Sequence, residues 1–328
     1  MLLNDPKELF EKLIQGDSQA LARSITLAES QKEEHQNKAE EILEAAIPHA
    51  GNSIRIGITG VPGVGKSTFI EAFGQYLIEE KGKKVAVLAV DPSSGKSKGS
   101  ILGDKTRMMA LSANEKAFIR PSPSSGTLGG VGLATREIIM LCEAASYDVI
   151  IVETVGVGQS ETEVKDLVDF SMLLMLPGAG DELQGIKRGI VELSDAIFIN
   201  KSDGDNLGKA KEAKAAYSNA LHLFPPLDSG WTSLVEMCSS IDNNNIDLAW
   251  KVINDFKDLT QSNGFWNSNR SQQMKLWLNH AIESRLLKKY HDRVDSDDRF
   301  KDLENKVVNN EISARKASRL FLDQLNNS

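Results

Sequence analysis

Gly60-Val61-Pro62-Gly63-Val64-Gly65-Lys66-Ser67, followed by Thr68, fits the pattern G-x-x-x-x-G-K-[ST] at each of its fixed positions. Before it, Ile54 to Thr59 is an apolar, β-branched run that reads as a buried strand. After it, the apolar positions from Thr68 to Ile78 repeat with helical spacing. Strand, glycine-bearing turn and helix in that order build a phosphate cradle. The glycines let the backbone fold back so that consecutive N–H groups point inward, and the helix N-terminus adds positive potential. Gly60, Val61, Pro62, Gly63, Val64, Gly65, Lys66, Ser67 and Thr68 are therefore the expected phosphate-binding residues, with Lys66 reaching the outer phosphates and the Ser67 hydroxyl holding Mg²⁺.

The stretches downstream extend this site. Lys84 to Val90 reads as a second strand and delivers Asp91 to its carboxyl end, where ligands bind in open α/β sheets, so Asp91 is a candidate for the Mg²⁺ shell. Gly99 to Met108 is polar and glycine-bearing, placed to respond to nucleotide. Phe118 to Val131 runs from a short strand into a loop rich in Pro, Ser and Gly, and a helix is expected from Ala134 to Ala145. Tyr147 to Val152 is a strand ending in Glu153, three residues ahead of Gly156. An acid there orients Mg²⁺ through its waters, and a glycine N–H can sense the γ-phosphate. Ser171 to Leu176 reads as another strand, followed by the glycine-rich segment Pro177 to Gly189.

The last motif selects the base. The strand Ala196 to Ile199 runs into Asn200-Lys201-Ser202-Asp203. N-K-x-D at a strand end lets the Asp203 carboxylate accept from the N1–H and the exocyclic amine of guanine, while the Lys201 stem packs on the ring. Adenine offers no such pair of donors, and a site built around polar pairing rejects an analogue that lacks them. GTP, rather than ATP, is the expected nucleotide.

Composition bounds the remainder. With 328 residues of which 41% are hydrophobic, the chain can bury one sizeable α/β domain and carry additional helices. A formal charge of −8 argues against a general attraction to nucleic acid or to an anionic membrane. Only Cys142 and Cys238 occur, which speaks against a disulfide framework or a Cys-based metal site and suits a reducing cytoplasm. Asp5, Glu8 and Glu11 among the first thirteen residues fit neither a secretory signal nor an acid-poor transit peptide. No apolar run approaches the roughly 20 residues of a membrane span.

Both ends read as helical. Asp5-Pro6 offers an N-cap with proline in the first turn ahead of Leu9, Phe10, Leu13 and Ile14; a second helix covers Ser18 to Ala28, and a charged one covers Glu29 to Glu44. From about Gly264, two apolar stripes (Trp277 to Leu287 and Leu303 to Phe321) ask for a partner surface, either in this chain or in a second copy. The expected fold is an α/β P-loop NTPase: a mostly parallel sheet flanked by helices, with helical extensions at both ends. The expected division is residues 1–50, 51–262 and 263–328.

Taken together, Gly60 to Ser67, Asp91 to Ser94, Gly99 to Met108, Arg120 to Val131, Glu153 to Glu161 and Asn200 to Asp203 resemble the MeaB/ArgK family of GTPases. The resemblance extends to Cys238-Ser239-Ser240, similar to the family's final guanine loop, with Ser240 where alanine is usual. It implies a homodimeric chaperone of a cobalamin-dependent acyl-CoA mutase such as methylmalonyl-CoA mutase, with GTP or GDP as ligand. It further implies Ser67, Asp91, Asp104 and Glu153 around Mg²⁺, with Lys66, Asp104 and Glu153 catalytic. Gly156, Asn200, Lys201, Asp203, Ser239 and Ser240 would contact the nucleotide. Gly99 to Met108, Glu153 to Glu161 and Pro177 to Lys187 would be switches. Val61 stands where some relatives of this class carry a lysine donated across the dimer, so that device is unavailable. Slow intrinsic hydrolysis accelerated by a partner is expected, with Lys105, Arg107, Lys187 and Arg188 as candidate charge stabilisers. Three other readings remain: an ATP-dependent kinase tied to transport, opposed by Asn200 to Asp203; a nickel-delivering GTPase, opposed by the lack of a Cys/His cluster; and a nucleotide-binding scaffold without turnover.

Overall fold

The computed structural model describes residues 5–91, 108–123, 130–154, 164–178, 188–294 and 298–325. Seven strands form one sheet in the order β3-β2-β4-β1-β5-β6-β7: β1 (Ile54–Gly60), β2 (Val85–Asp91), β3 (Ala117–Pro123), β4 (Val149–Thr154), β5 (Phe170–Met175), β6 (Ala196–Ile199) and β7 (Leu234–Met237). Every neighbouring pair is parallel. β2, β3 and β4 lie on one side of β1, with β4 returning between β2 and β1, and β5 to β7 lie on the other, so the strand order reverses beside β1. The crevice for a ligand in a doubly wound sheet lies at that reversal, beyond the carboxyl ends of the strands. β1 is buried along its whole length, as expected for a central strand covered on both faces.

The two faces have separate cores, and the strands alternate between them. Ile56 and Ile58 of β1, Ile151 of β4 and Phe170 and Met172 of β5 pack with Phe69, Phe73 and Phe256 on one face. Ile150 and Val152 of β4 and Ala86 and Leu88 of β2 point the other way. There they meet Leu9, Leu13, Leu21, Ile25 and Ile42 from α1 (Pro6–Ile14), α2 (Ser18–Ala28) and α3 (Glu33–Ala46). The N-terminal helices thus roof one face of the sheet. Asp5 and Asp17 cap α1 and α2 through their carboxylates. Glu29 is the C-cap of α2, so the third helix starts at Glu33, later than charge patterning alone suggested.

The remaining helices are α4 (Lys66–Glu79), α5 (Met109–Ser112), α6 (Gly130–Ala144), α7 (Arg188–Leu193), α8 (Leu207–Leu221), α9 (Ile246–Ser262), α10 (Phe265–Val294), α11 (Asp298–Val308) and α12 (Ala314–Leu325). The chain divides into two compact units, Met1–Trp277 and Leu278–Ser328, with the division inside α10. In the second unit Tyr290, Phe300 and Phe321 form an aromatic trio with centroids 5.1–6.4 Å apart. Among the described residues no helix is long and apolar enough to cross a membrane.

Two elements differ from the expectation in their limits. α4 begins at Lys66, two residues before the apolar repeat, because Gly65 adopts a left-handed conformation (φ 92°) and starts the helix at once. α6 begins at Gly130, ahead of its first apolar stripe, since glycines carry no periodic signal.

Candidate functional site

The phosphate loop joins β1 to α4 at the sheet reversal. α4 has no side-chain cap, so its first N–H groups remain available to an anion. Two glycines are required here. A Cβ on Gly60 would lie 2.6 Å from the Leu174 carbonyl oxygen, and one on Gly65, besides its positive φ, would lie 3.0 Å from Asn200 Nδ2. Val64 is fully buried and pins the centre of the loop to the core.

Two lysines brace the loop, one at its own end and one from the turn after β6. Lys66 Nζ donates to the Gly60 carbonyl at 2.8 Å, and Lys201 Nζ to the Gly63 carbonyl at 2.8 Å. Burial lowers the Lys66 ammonium below the ordinary lysine value, with the Glu153 carboxylate partly opposing it. A desolvated ammonium held by a backbone carbonyl is primed to exchange it for phosphate oxygens.

Glu153 is buried near the end of β4, in register with Ile58 of β1 and Ala89 of β2. Its Oε1 is 3.5 Å from Ser67 Oγ. The next residue, Thr154, donates its hydroxyl to Thr59 at 2.9 Å, tying β4 to the strand that carries the loop. A hydroxyl and a carboxylate oxygen are hard donors, and among the described residues no three His, Cys, Asp or Glu side chains gather. Such a sparse oxygen set fits Mg²⁺, which keeps waters and binds substrate phosphates rather than filling an all-protein cage. Asp91 ends β2 on the same edge of the sheet.

The residues expected to read the base follow β6 and β7. Lys201 takes a left-handed φ of 57°, which turns the chain sharply after Asn200. The Ser239 hydroxyl donates to Asp203 Oδ1 at 2.9 Å and accepts from the Asp242 N–H at 3.2 Å, so the carboxylate is held while its second oxygen stays available. Asn200 joins the halves of the site: its Nδ2 donates to the Val64 carbonyl at 2.9 Å, and its Oδ1 accepts from Ser240 N at 3.2 Å and Ser240 Oγ at 2.8 Å. Gly60 to Thr68, Glu153, Asn200, Lys201, Asp203, Ser239 and Ser240 therefore converge. Asp104, Gly156, Lys105, Arg107 and Lys187 lie outside the described residues, as do Gly99–Arg107, Val155–Glu161 and Ala179–Lys187 of the three expected switches.

Three features carry no local signal in the sequence. β7, four residues long, supports the Ser239–Ser240 loop but is too short for a periodic signal. Glu71, one turn beyond Ser67 on α4, accepts the N–H groups of Ala110 (2.8 Å) and Leu111 (3.1 Å) and anchors α5. At the amino end of the sheet Arg55, Glu143, Asp169 and Arg270 form a buried ionic network. Arg55 Nε and Nη2 fork onto Glu143, which also accepts from Ser53 Oγ and Gly51 N. Nearby, burial and the charge of Arg55 bring the Arg136 guanidinium down to about 10.

Comparison with known proteins is consistent over nearly the whole chain. The family described as "Methylmalonyl Co-A mutase-associated GTPase MeaB" matches residues 21–295. GTPase ArgK of Escherichia coli is 48% identical over 308 residues, covering 94% of this chain and 93% of that one. The mitochondrial methylmalonic aciduria type A homolog of Mus musculus is 41% identical over 324 residues, 96% of this chain and 78% of its own. A solved structure of a LAO/AO transport system kinase superposes with a TM-score of 0.76 at 40% identity, covering 99% of this chain and 100% of that one.

Proposed function

Because the chain belongs to the MeaB family of GTPases, we propose that it couples GTP hydrolysis to the care of a cobalamin-dependent acyl-CoA mutase of the methylmalonyl-CoA mutase type. In this reading it is a chaperone that gates cofactor loading or protection, and it works in the cytoplasm as a homodimer. The observation that carries the guanine-nucleotide half is the Asn200 bridge, which fastens the base-reading loop to the phosphate loop at 2.9 Å. The client is suggested by the family's description and by the mouse relative's name. Exposed Leu278, Ile282 and Leu286 in the second unit support a contact with another copy.

The proposed chemistry is transfer of the γ-phosphoryl group to water: a new bond forms between the water oxygen and γ-phosphorus, and the bond to the β–γ bridging oxygen breaks. Lys66 gives up the Gly60 carbonyl for the β- and γ-phosphate oxygens and neutralises charge that grows on them. Asp203 and Lys201 fix the base, and the N–H groups at the start of α4 fix the phosphates in line for attack. Mg²⁺, held by Ser67 with Glu153, Asp91 and Asp104, would offset the remaining phosphate charge. Val61 leaves the loop without a lysine at its second position, so the chain alone turns over slowly and the client supplies acceleration.

The test is GTP turnover by the purified chain, alone and with increasing methylmalonyl-CoA mutase, with ATP and Lys66→Ala as controls. Slow turnover selective for GTP, lost in the variant and raised by the mutase, is the expected result. Turnover indifferent to the mutase refutes the client, and full activity in Lys66→Ala refutes the site.

A further inference from the structure

Asn200 and Ser240 are buried, 1% and 6% exposed, so each polar atom of their contact needs a hydrogen-bond partner in place of water. Asn200 Oδ1 receives the Ser240 backbone N–H at 3.2 Å, the Ser240 hydroxyl at 2.8 Å and, weakly, the Cys238 thiol at 3.6 Å. A carbonyl oxygen has two lone pairs, and the N–H and the hydroxyl already fill them. The same residue thus brings two donors to one acceptor.

The surplus has a use if guanine is the ligand, and on this point the inference rests on the reading proposed above. Guanine presents N1–H and its amine to the Asp203 carboxylate, and beside them a 6-oxo group that needs a donor. Ser239 holds Asp203, and the Ser240 N–H is the next backbone donor along that loop. We propose that the Ser240 hydroxyl is a positioning group that frees the Ser240 N–H for the 6-oxo oxygen without stranding Asn200 Oδ1. When the N–H turns to the base, the hydroxyl at 2.8 Å keeps the carboxamide oxygen satisfied. The other end of the carboxamide keeps its hold on the Val64 carbonyl, so the phosphate loop stays in register while the base is read. With alanine at this position, Oδ1 would retain only a thiol at 3.6 Å, too distant and too weak a donor to replace an O–H.

The experiment compares the unaltered chain, Ser240→Ala and Ser240→Thr for affinity and release of GDP, inosine diphosphate and 6-thioguanosine diphosphate, with thermal melting as the fold control. GDP and inosine diphosphate carry the 6-oxo group, and the 6-thio analogue offers a poor acceptor in its place. Ser240→Ala is expected to bind the two 6-oxo nucleotides about ten-fold more weakly, through faster release, the effect of stranding one buried acceptor. For the 6-thio analogue the loss shrinks to less than about three-fold, and Ser240→Thr, which keeps the hydroxyl, recovers most of the affinity. Unchanged GDP release in Ser240→Ala, or an equal loss on all three nucleotides, overturns the proposal. If Asp203→Asn alters base selectivity while Ser240→Ala does nothing, this inference alone fails; if the unaltered chain does not bind GDP, the guanine reading falls with it.

Discussion

Replacing Arg270 by alanine tests the least visible support of the fold. Its guanidinium reaches Asp169 Oδ1 from Nε at 2.7 Å, Asp169 Oδ2 from Nη2 at 2.6 Å, the Gly51 carbonyl from Nη1 at 2.6 Å and the Ser53 carbonyl from Nη2 at 2.7 Å. It also lies over the Trp266 ring, 4.6 Å from the centroid. The Asp169 side chain is 2% exposed and that of Arg270 14%, so the pair is largely shielded from water. Without the arginine, Asp169 keeps only the Arg55 backbone N–H at 2.9 Å among these donors, and two carbonyls lose a charged donor. Removing one partner of a buried pair costs about 3–5 kcal/mol; the partial exposure of Arg270 argues for the lower end, about 3 kcal/mol. That is a substantial part of the 5–15 kcal/mol typical of a folded domain. Urea unfolding followed by tryptophan fluorescence and by circular dichroism measures it. Arg270→Lys should lose about 2 kcal/mol, since an ammonium cannot fork onto a carboxylate and two carbonyls together. The double variant with Asp169→Asn should be less destabilised than the sum of the single ones by at least about 1.5 kcal/mol. A loss below about 1 kcal/mol in Arg270→Ala, the range of a surface pair, refutes the argument.

Three further outcomes are expected. Asp203→Asn keeps the size of the side chain but removes a charged acceptor, so the preference for GTP over ATP in competition binding should fall by about a hundred-fold; an unchanged ratio counts against the base assignment. Glu71→Ala releases the N–H groups of Ala110 and Leu111 that its Oε1 now accepts. Hydrogen exchange at those two amides should rise by about ten-fold, with Glu71→Gln close to the unaltered chain because it keeps an acceptor oxygen; equal protection in all three would show that α5 is held by packing alone. Cys142 and Cys238 are both buried, and burial raises their thiols, that of Cys238 to about 12. At pH 8 each is a protonated thiol behind protein, so an aromatic disulfide reagent should modify neither until urea unfolds the chain; rapid labelling of the folded protein would contradict their placement.

The parts of the fold legible in the sequence are those whose signal is periodic or contiguous. β1, β2, β4 and β6 are apolar runs bounded by turn residues, and each carries an expected site residue at or just beyond its carboxyl end, the side on which a doubly wound sheet binds ligands. The phosphate loop and Asn200 to Asp203 are readable for the same reason: a backbone cradle and a base-reading turn need particular residues at consecutive positions. Ser239 and Ser240 are readable only beside a resemblance, since two serines carry no pattern, and the structure bonds them to Asp203 and Asn200.

What the sequence conceals is closure over long separations. Arg270 meets Gly51 across 219 residues and Asp169 across 101, and Arg55 meets Glu143 across 88, with no local pattern to announce any of the three. Each looks like a solvated charge until the sheet exists. Once β1, β4 and β5 are adjacent, their amino ends bring Ser53, Arg55 and Asp169 together, and a buried carboxylate there must find a cation. The same logic bears on the division expected between residues 262 and 263, whereas the compact units meet at Trp277 and Leu278. Arg270 and Gln273 lie beyond the expected division, yet Arg270 binds the base of the sheet and Gln273 donates to the Val168 carbonyl at 2.8 Å. The first three turns of α10 thus belong energetically with the nucleotide-binding sheet, and a truncation at residue 262 should destabilise that sheet by at least the cost of Arg270→Ala, whereas one after Trp277 leaves those bonds in place. Equal melting temperatures for the two truncations would show that the ionic network holds the helix without holding the sheet.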